Sequence, residues 1–233
     1  MMKQIPAKTI YQKLTRKGFK PQHVAEIGVY FPETSNVYDY IRAGIKCTLV
    51  EPNPESVEKI KQHFAGQDNV TLHPVAIYDR KGQVELVRRA ASTFVGELAT
   101  SPAIVNDDYR LDDGDKFTVK ACTFDEIDDG TIDLLCVDVE GSEWFVIKHM
   151  ISRPAVISLE THGSAYVNPY LDEILNWMSI NDYLIWYKDQ SDTVFVKDEV
   201  ITITWPDVFH LIRMNGFIFW KRIKRKLKKR RGM

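Results

Sequence analysis

Acidic side chains close three apolar runs of this chain. Glu51 ends CTLVE, 23 residues after Gly28; Asp138 and Glu140 end IDLLCVDVE, with Gly141 next; Glu160 ends AVISLE, two residues before His162. An acid at a strand end, at that distance from a glycine, can accept both ribose hydroxyls of an adenosine-containing cofactor. Asp138 and Glu140 lie two apart and share one side of the chain while it is extended. Carboxylates beside a long apolar strand are costly unless solvated, paired or used. Used, they can take a proton from a substrate, and His162 has the best unperturbed pKa for that task. The plainer readings are a solvated strand end for Glu51 and helix capping for the acids around Gly141.

The stretch HVAEIGVYFPETSN (23–36) starts like a nucleotide-binding fingerprint, with Glu26 and Gly28, but continues with Tyr30, Phe31 and Pro32. A fingerprint would add glycines there, so that backbone could approach a ligand and a helix could begin. On these residues alone it is a broken cofactor loop, a different one, or an ordinary strand end.

The elements that must position these groups follow from periodicity and from start and stop residues. Residues 7–18 read as a helix stopped by Gly18, and 24–29 as a first strand. Residues 34–44 read as a helix with Thr34 or Ser35 as N-cap and Gly44 as stop. CTLVEP (47–52) is a second strand, 54–65 a helix, and VTLHPVAIY (70–78) a third strand interrupted by Pro74. Gly82 turns into QVELV (83–87). Ala90 to Lys116 lacks a period and reads as a long excursion. FTVKACTF (117–124) is a strand, and IDLLCVDV (132–139) has the continuous apolar run of a central parallel strand. A helix after Gly141, a strand at 155–160 and a helix at 168–178 follow, and then YLIWY and TVFVK, able to form an antiparallel edge hairpin. Such alternation implies an α/β fold with a mostly parallel sheet covered by helices on both faces.

Ligands of such sheets bind beyond the carboxyl ends of the strands, near the point where strand order reverses. The residues placed there are Gly28, Tyr30, Ser35 and Asn36; Glu51 and Asn53; Ala76 and Ile77; Asp138 and Glu140; and Glu160 and His162. They define the expected cleft.

The 233 residues, 44% hydrophobic and 27% charged, suit a soluble globular protein. No apolar run reaches the roughly 18–20 residues of a membrane span. The N-terminus lacks the apolar core of a secretory signal. Three single cysteines argue against a disulfide framework or a zinc site, so no metal is expected and the compartment is read as cytoplasmic. The net charge of −1 hides an asymmetry. Residues 221–231 hold nine of the 31 Lys and Arg and no acid, leaving 22 basic against 32 acidic residues elsewhere. Within FIFWKRIKRKLKKRR, Trp220, Ile223 and Leu227 share one helical face, with Phe217 and Phe219 beside them. The expectation is a main domain over 1–205 and a basic amphipathic tail over 206–233, whose residues 208–231 dock on the inner face of an anionic membrane. A solvated basic end and a nucleic-acid grip are the alternatives.

IDLLCVDVEGSEWFVIKHM resembles the signature of the FkbM-type methyltransferase family, an apolar strand followed by Asp-x-Glu-Gly, an acid and a helix. LVEPNP and PVAIYDRKGQVEL are similar to that family's second and third cofactor segments, in the same order, and ISLETHG to its next strand. The resemblance spans roughly residues 20–200. It implies a Rossmann-like class I methyltransferase fold with a seven-stranded sheet, and S-adenosyl-L-methionine as cofactor. It further implies an O-methyltransferase acting on a sugar hydroxyl of a polysaccharide, glycolipid or related metabolite. EIGVYFPETSN then stands at the first cofactor loop, poor in glycine; S-adenosylmethionine has no pyrophosphate to cradle. The implied cofactor residues are Glu26, Gly28, Tyr30, Ser35, Asn36, Glu51, Asn53, Ala76, Ile77 and Asp138, with Ser35 and Asn36 hydrogen-bonding its carboxylate. The base for the acceptor hydroxyl is Asp138, Glu140, Glu160 or His162. The rival functions are an RNA methyltransferase with an RNA-gripping tail and an inactive methyltransferase-like scaffold.

Overall fold

The computed structural model describes residues 6–89, 92–95, 115–163 and 166–230. Its strands are β1 (His23–Ile27), β2 (Lys46–Val50), β3 (Val70–His73), β4 (Ala76–Ile77), β5 (Gly82–Arg89), β6 (Ser92–Val95), β7 (Asp115–Cys122), β8 (Leu134–Val137), β9 (Val156–Glu160), β10 (Tyr183–Lys188) and β11 (Asp192–Lys197). Its helices are α1 (Thr9–Arg16), α2 (Tyr38–Arg42), α3 (Pro54–His63), α4 (Glu143–Ile147), α5 (Leu171–Ile180) and α6 (Trp205–Arg230).

A seven-stranded sheet runs β10-β11-β9-β8-β1-β2-β3. Its strands β9, β8, β1, β2 and β3 are parallel; β11 is antiparallel to β9 and forms the edge hairpin with β10. This is the expected Rossmann-like arrangement. The alternation of side chains explains its two covered faces. Val24, Leu134 and Cys136 pack with Ile10 and Leu14 of α1 and Ile41 of α2. Their neighbours Ala25, Leu135 and Val137 pack with Val146 and Ile147 of α4 and Ile174 and Met178 of α5. Each fully buried leucine there contributes about 1.5–3 kcal/mol over exposure. From β1 the chain builds outward to β2 and β3, then crosses back to place β8 on the other side of β1. The strand order therefore reverses between β1 and β8, which opens a crevice at their carboxyl ends.

Several expected boundaries change. The stretch 70–78 is not one interrupted strand. β3 stays in the main sheet, the Val75 N–H turns back to the His73 carbonyl (3.0 Å), and β4 joins a second, four-stranded sheet of order β4-β7-β5-β6. Pro74, lacking an N–H, cannot continue the ladder. The strands expected at 83–87 and 117–124 pair with each other in this second sheet. The helix expected at 34–44 becomes a 3₁₀ turn (Pro32–Thr34) followed by α2, which begins only at Tyr38; the Ser35 hydroxyl donates to Glu26 and accepts the Val37 N–H (3.3 Å) ahead of that helix. Of the excursion over 90–116, only 92–95 and 115–116 lie within the described residues. Among the described residues no helix is long and apolar enough to cross a membrane.

Candidate active site

The crevice holds a cavity of about 320 Å³, lined at one end by Glu26, Gly28, Tyr30 and Asn36, and by Glu51, Ala76, Ile77, Asp138 and Glu140 around it. Gly28 shapes its floor. With φ +87° it sits where L side chains are strained, and a Cβ there would overlap the Asp138 carbonyl oxygen. Its N–H donates to the Val50 carbonyl (2.9 Å), while the Asp138 N–H donates to that of Ile27 (2.9 Å). These bonds tie the ends of β1, β2 and β8 into one rim.

Glu51 is nearly fully buried at this rim. Its carboxylate accepts the N–H of Tyr30 (2.8 Å) on one oxygen and that of Asn53 (2.8 Å) on the other. Burial pushes its pKa up, and the backbone donors oppose that. Tyr30 is held in the left-handed region, φ +57°, a conformation its bond to Glu51 supports. Asn53 lies outside the lining; its side chain caps α3 by accepting the Glu55 N–H (3.0 Å).

Glu26 is buried beneath the loop. It accepts the Ser35 hydroxyl, the Asn36 N–H (2.8 Å) and the Asn36 side-chain amide (3.1 Å). Ser35 is fully buried in this contact and does not line the cavity, whereas Asn36 does. A hydroxyl already donating to Glu26 is badly placed to serve a ligand carboxylate, so Ser35 reads as a brace. Burial raises the Glu26 pKa to about 7 against these hydrogen bonds. A carboxyl raised on folding stabilises fully below its unfolded pKa and loses that contribution as pH rises through the folded one. The shift from 4.5 to about 7 amounts to about 3 kcal/mol at most. Ligand-free protein is therefore expected to lose stability between pH 4.5 and about 7, with a shallower slope for Glu26→Gln. Thermal unfolding across that range checks this; identical slopes for the two proteins would exclude Glu26 as the titrating group.

Beyond the rim stands a group of acids. Asp138 is accessible to solvent in the cleft although protein surrounds it. That surrounding, and then the charges of Asp192 and Glu140, drive its pKa well above the carboxylate range. Glu140 lines the cavity with φ +55°. Glu143, fully buried, accepts the N–H groups of Val139 (3.1 Å) and Gly141 (3.2 Å) and the side-chain amide of Asn168. It thereby clamps the turn that carries Asp138 and Glu140, and burial raises its pKa to about 7. Glu160 stands behind the lining. Burial, then Asp138 and Glu140, push its pKa up to about 10, and its Oε2 is buried without a hydrogen-bond partner among the described residues. Burial also lifts Asp192 to about 6. The neutral forms of Asp138 and Glu160 are favoured until a cation enters the cleft and reverses the balance.

His162 is not part of this group. It is buried, with Nδ1 on the Thr161 hydroxyl (2.9 Å) and Nε2 on the Asp189 carbonyl (3.1 Å). The carbonyl requires a proton on Nε2, so Nδ1 accepts from Thr161, and desolvation lowers the pKa. With both nitrogens occupied, His162 reads as a structural pin between β9 and the edge hairpin. The clamp of Glu143 and Asn168 was not singled out from the sequence; the acid after Asp-x-Glu-Gly was its one visible sign. Among the described residues no group of three His, Cys, Asp or Glu could hold a metal ion.

No curated protein matches the chain. Among solved structures it is similar to a precorrin-6y C5,15-methyltransferase from Geobacter metallireducens GS-15, at 13% identity and TM-score 0.41 over 84% of this chain and 90% of that one. It is also similar to a ribosomal protein L11 methylase from Lactobacillus delbrueckii subsp. bulgaricus, at 12% identity and TM-score 0.40 over 80% and 75%. A third is Aeropyrum pernix fibrillarin in complex with natively bound S-adenosyl-L-methionine, at 9% identity and TM-score 0.41 over 80% and 73%. Membership does not rest on these. Residues 23–185, well over half of the chain, match the family model described as the methyltransferase FkbM domain, and the chain belongs to the FkbM methyltransferase family.

Proposed function

We infer that this methyltransferase uses S-adenosylmethionine to methylate a hydroxyl of a sugar, in a polysaccharide, glycolipid or related metabolite, and works peripherally at the inner face of a membrane. The observation that carries the reading is the composition of the cleft: among the described residues Glu26, Glu51, Asp138 and Glu140 line it, and no Lys, Arg or His does. Such a lining disfavours phosphate and suits hydroxyls and cations. S-adenosylmethionine has two ribose hydroxyls, an ammonium and a sulfonium, and no phosphate. Glu51 would hold the ribose, and the Gly28 turn would let backbone approach the amino-acid end, beside Glu26 and Asn36. Val50, Ala76, Ile77 and Leu86 form an apolar wall for the base. When bound, the cofactor supplies a methyl group on a sulfonium.

The chain's own contribution is alignment, exclusion of water and removal of one proton. A sugar hydroxyl is a poor nucleophile near neutral pH and needs a base. Asp138 lies in the cleft at the end of β8 and can accept that proton, and Glu140 beside it can accept further hydroxyls of a polyol. Family resemblance supports the sugar class.

Calorimetry tests the cofactor. Glu51→Ala is expected to weaken binding by about 1–3 kcal/mol, roughly 5- to 150-fold in Kd. Unchanged affinity would remove Glu51 from the site, and absence of wild-type binding would leave the scaffold reading. The acceptor is tested with methyl-labelled cofactor and separate sugar, glycolipid and RNA fractions. Label entering only RNA would overturn the sugar reading.

A further inference from the structure

The C-terminal helix turns one apolar face to the body and a second one away from it. Leu211, Met214 and Ile218 are half-buried, on the side where α6 packs along β10. On the opposite side Trp205, Phe209, Ile212, Phe219, Ile223 and Leu227 recur at helical spacing, and all are exposed, Trp205 by 86% and Phe209 by 69%. This stripe starts well before the basic run and follows nearly the whole helix, about 39 Å at 1.5 Å per residue.

We propose that α6 lies in the plane of an anionic membrane, with the stripe from Trp205 to Leu227 inserted at the acyl boundary and its basic residues on the headgroups. The inference extends the membrane-side part of the proposed function. Flotation on vesicles needs neither cofactor nor acceptor, so its failure and a failure of methyl transfer are separate results. Charge selects the occupant. Eight of the nine basic residues of 221–231 fall in this helix, while the rest of the chain outside 221–231 holds 22 basic against 32 acidic residues. An anionic surface therefore attracts the helix and repels the body, which sets the orientation. Lys224 lies over the Trp220 ring (3.6 Å) and Lys221 over that of Phe217 (4.9 Å), the interleaving of aromatics and cations suited to a headgroup layer. A second copy of the helix fits less well. Exposed Arg213 and Lys224 flank the stripe, and like charges would meet across the seam.

Polar contacts tie the helix to the body. Asp207 pairs with Lys17 of the segment after α1 (2.6 Å), and Arg222 donates to the Tyr166 carbonyl (3.4 Å). Tyr166 lies on the connection between Glu160 and Asn168, beside the acids of the cleft. Docking α6 therefore fixes which edge of the body faces the lipid.

The test is flotation with vesicles of phosphatidylcholine alone and of phosphatidylcholine with phosphatidylserine, at low and high salt. Wild type is expected to float with the anionic vesicles. Each basic residue near the surface contributes about fivefold in partitioning at low salt. Phe209→Ser/Ile212→Ser, far from the basic run, is expected to lose at least about tenfold, most visibly at high salt, where the apolar part dominates. Lys221→Gln/Lys224→Gln is expected to lose binding mainly at low salt. Thermal unfolding like that of wild type in both variants checks that they fold. The proposal fails if wild type does not float, if Phe209→Ser/Ile212→Ser floats as well as wild type, or if the stripe supports only a concentration-dependent dimer. Co-sedimentation with single-stranded RNA and not with vesicles overturns it as well.

Discussion

Asp138→Asn is expected to lower the single-turnover rate of methyl transfer by about 10²–10⁴-fold, the usual contribution of a positioned general base. Asp138 and Glu140 are the base candidates that line the cleft, and Asp138 stands at the strand-order reversal, with its backbone bonded to Ile27 at the end of β1. Asparagine keeps the size of the side chain and removes its ability to take a proton. Cofactor affinity, measured separately, is expected to change much less, because Glu51 and the Gly28 turn remain. The direction of the pH effect follows from the cause of the shift. Protein surrounding Asp138, then Asp192 and Glu140, hold its pKa well above the carboxylate range, so turnover is expected to rise with pH as Asp138 ionises. Asp192→Asn removes the largest neighbouring charge and is expected to move that limb to lower pH without abolishing activity. If Asp138→Asn keeps full turnover, the base lies elsewhere and Glu140 is the next residue to replace.

The second large effect is structural. Gly28→Ala is expected to destabilise the protein by about 2–5 kcal/mol, because the new methyl group meets backbone and not a flexible side chain. The Cβ would lie 2.9 Å from the Asp138 carbonyl carbon and overlap its oxygen, at a φ of +87° that L residues rarely adopt. The strands β1 and β8 would have to separate at the point where they build the cleft, so cofactor affinity should fall with stability. Gly18→Ala supplies the control. Its φ is +74° but nothing lies within 4 Å of a Cβ there, so it should lose only the backbone term, about 1–2 kcal/mol. Denaturant unfolding of the three proteins separates collision from strain. Equal losses in the two variants would mean that the β1–β8 rim yields and that Gly28 is needed only for its backbone angle.

What could be read in the sequence was what local pattern determines. The run LLCV announced a strand buried on both faces, because each of its side chains meets a helix layer. The hairpin of YLIWY and TVFVK was visible as two short β-rich runs. Glu51 was visible because spacing along one βαβ unit is set by covalent geometry. The Asp-x-Glu-Gly segment was visible because a turn after a strand needs a residue such as Gly141 (φ +105°). Polarity alone did not show where each polar group would find its partner. Ser35 looks like a helix cap until Glu26 is seen beneath it. His162 looks like a base until the Asp189 carbonyl, 27 residues later, closes on its second nitrogen. Glu143 and Asn168, 25 residues apart, become a clamp only when α4 and the connection after β9 are side by side. Phe209 and Ile212 precede the basic run, and their exposure shows only once the helix is docked on β10 by its other face. Periodicity along a chain reports which side chains avoid water. What covers them, and which hydrogen bonds are already taken, is decided by segments distant in sequence that only the fold brings together.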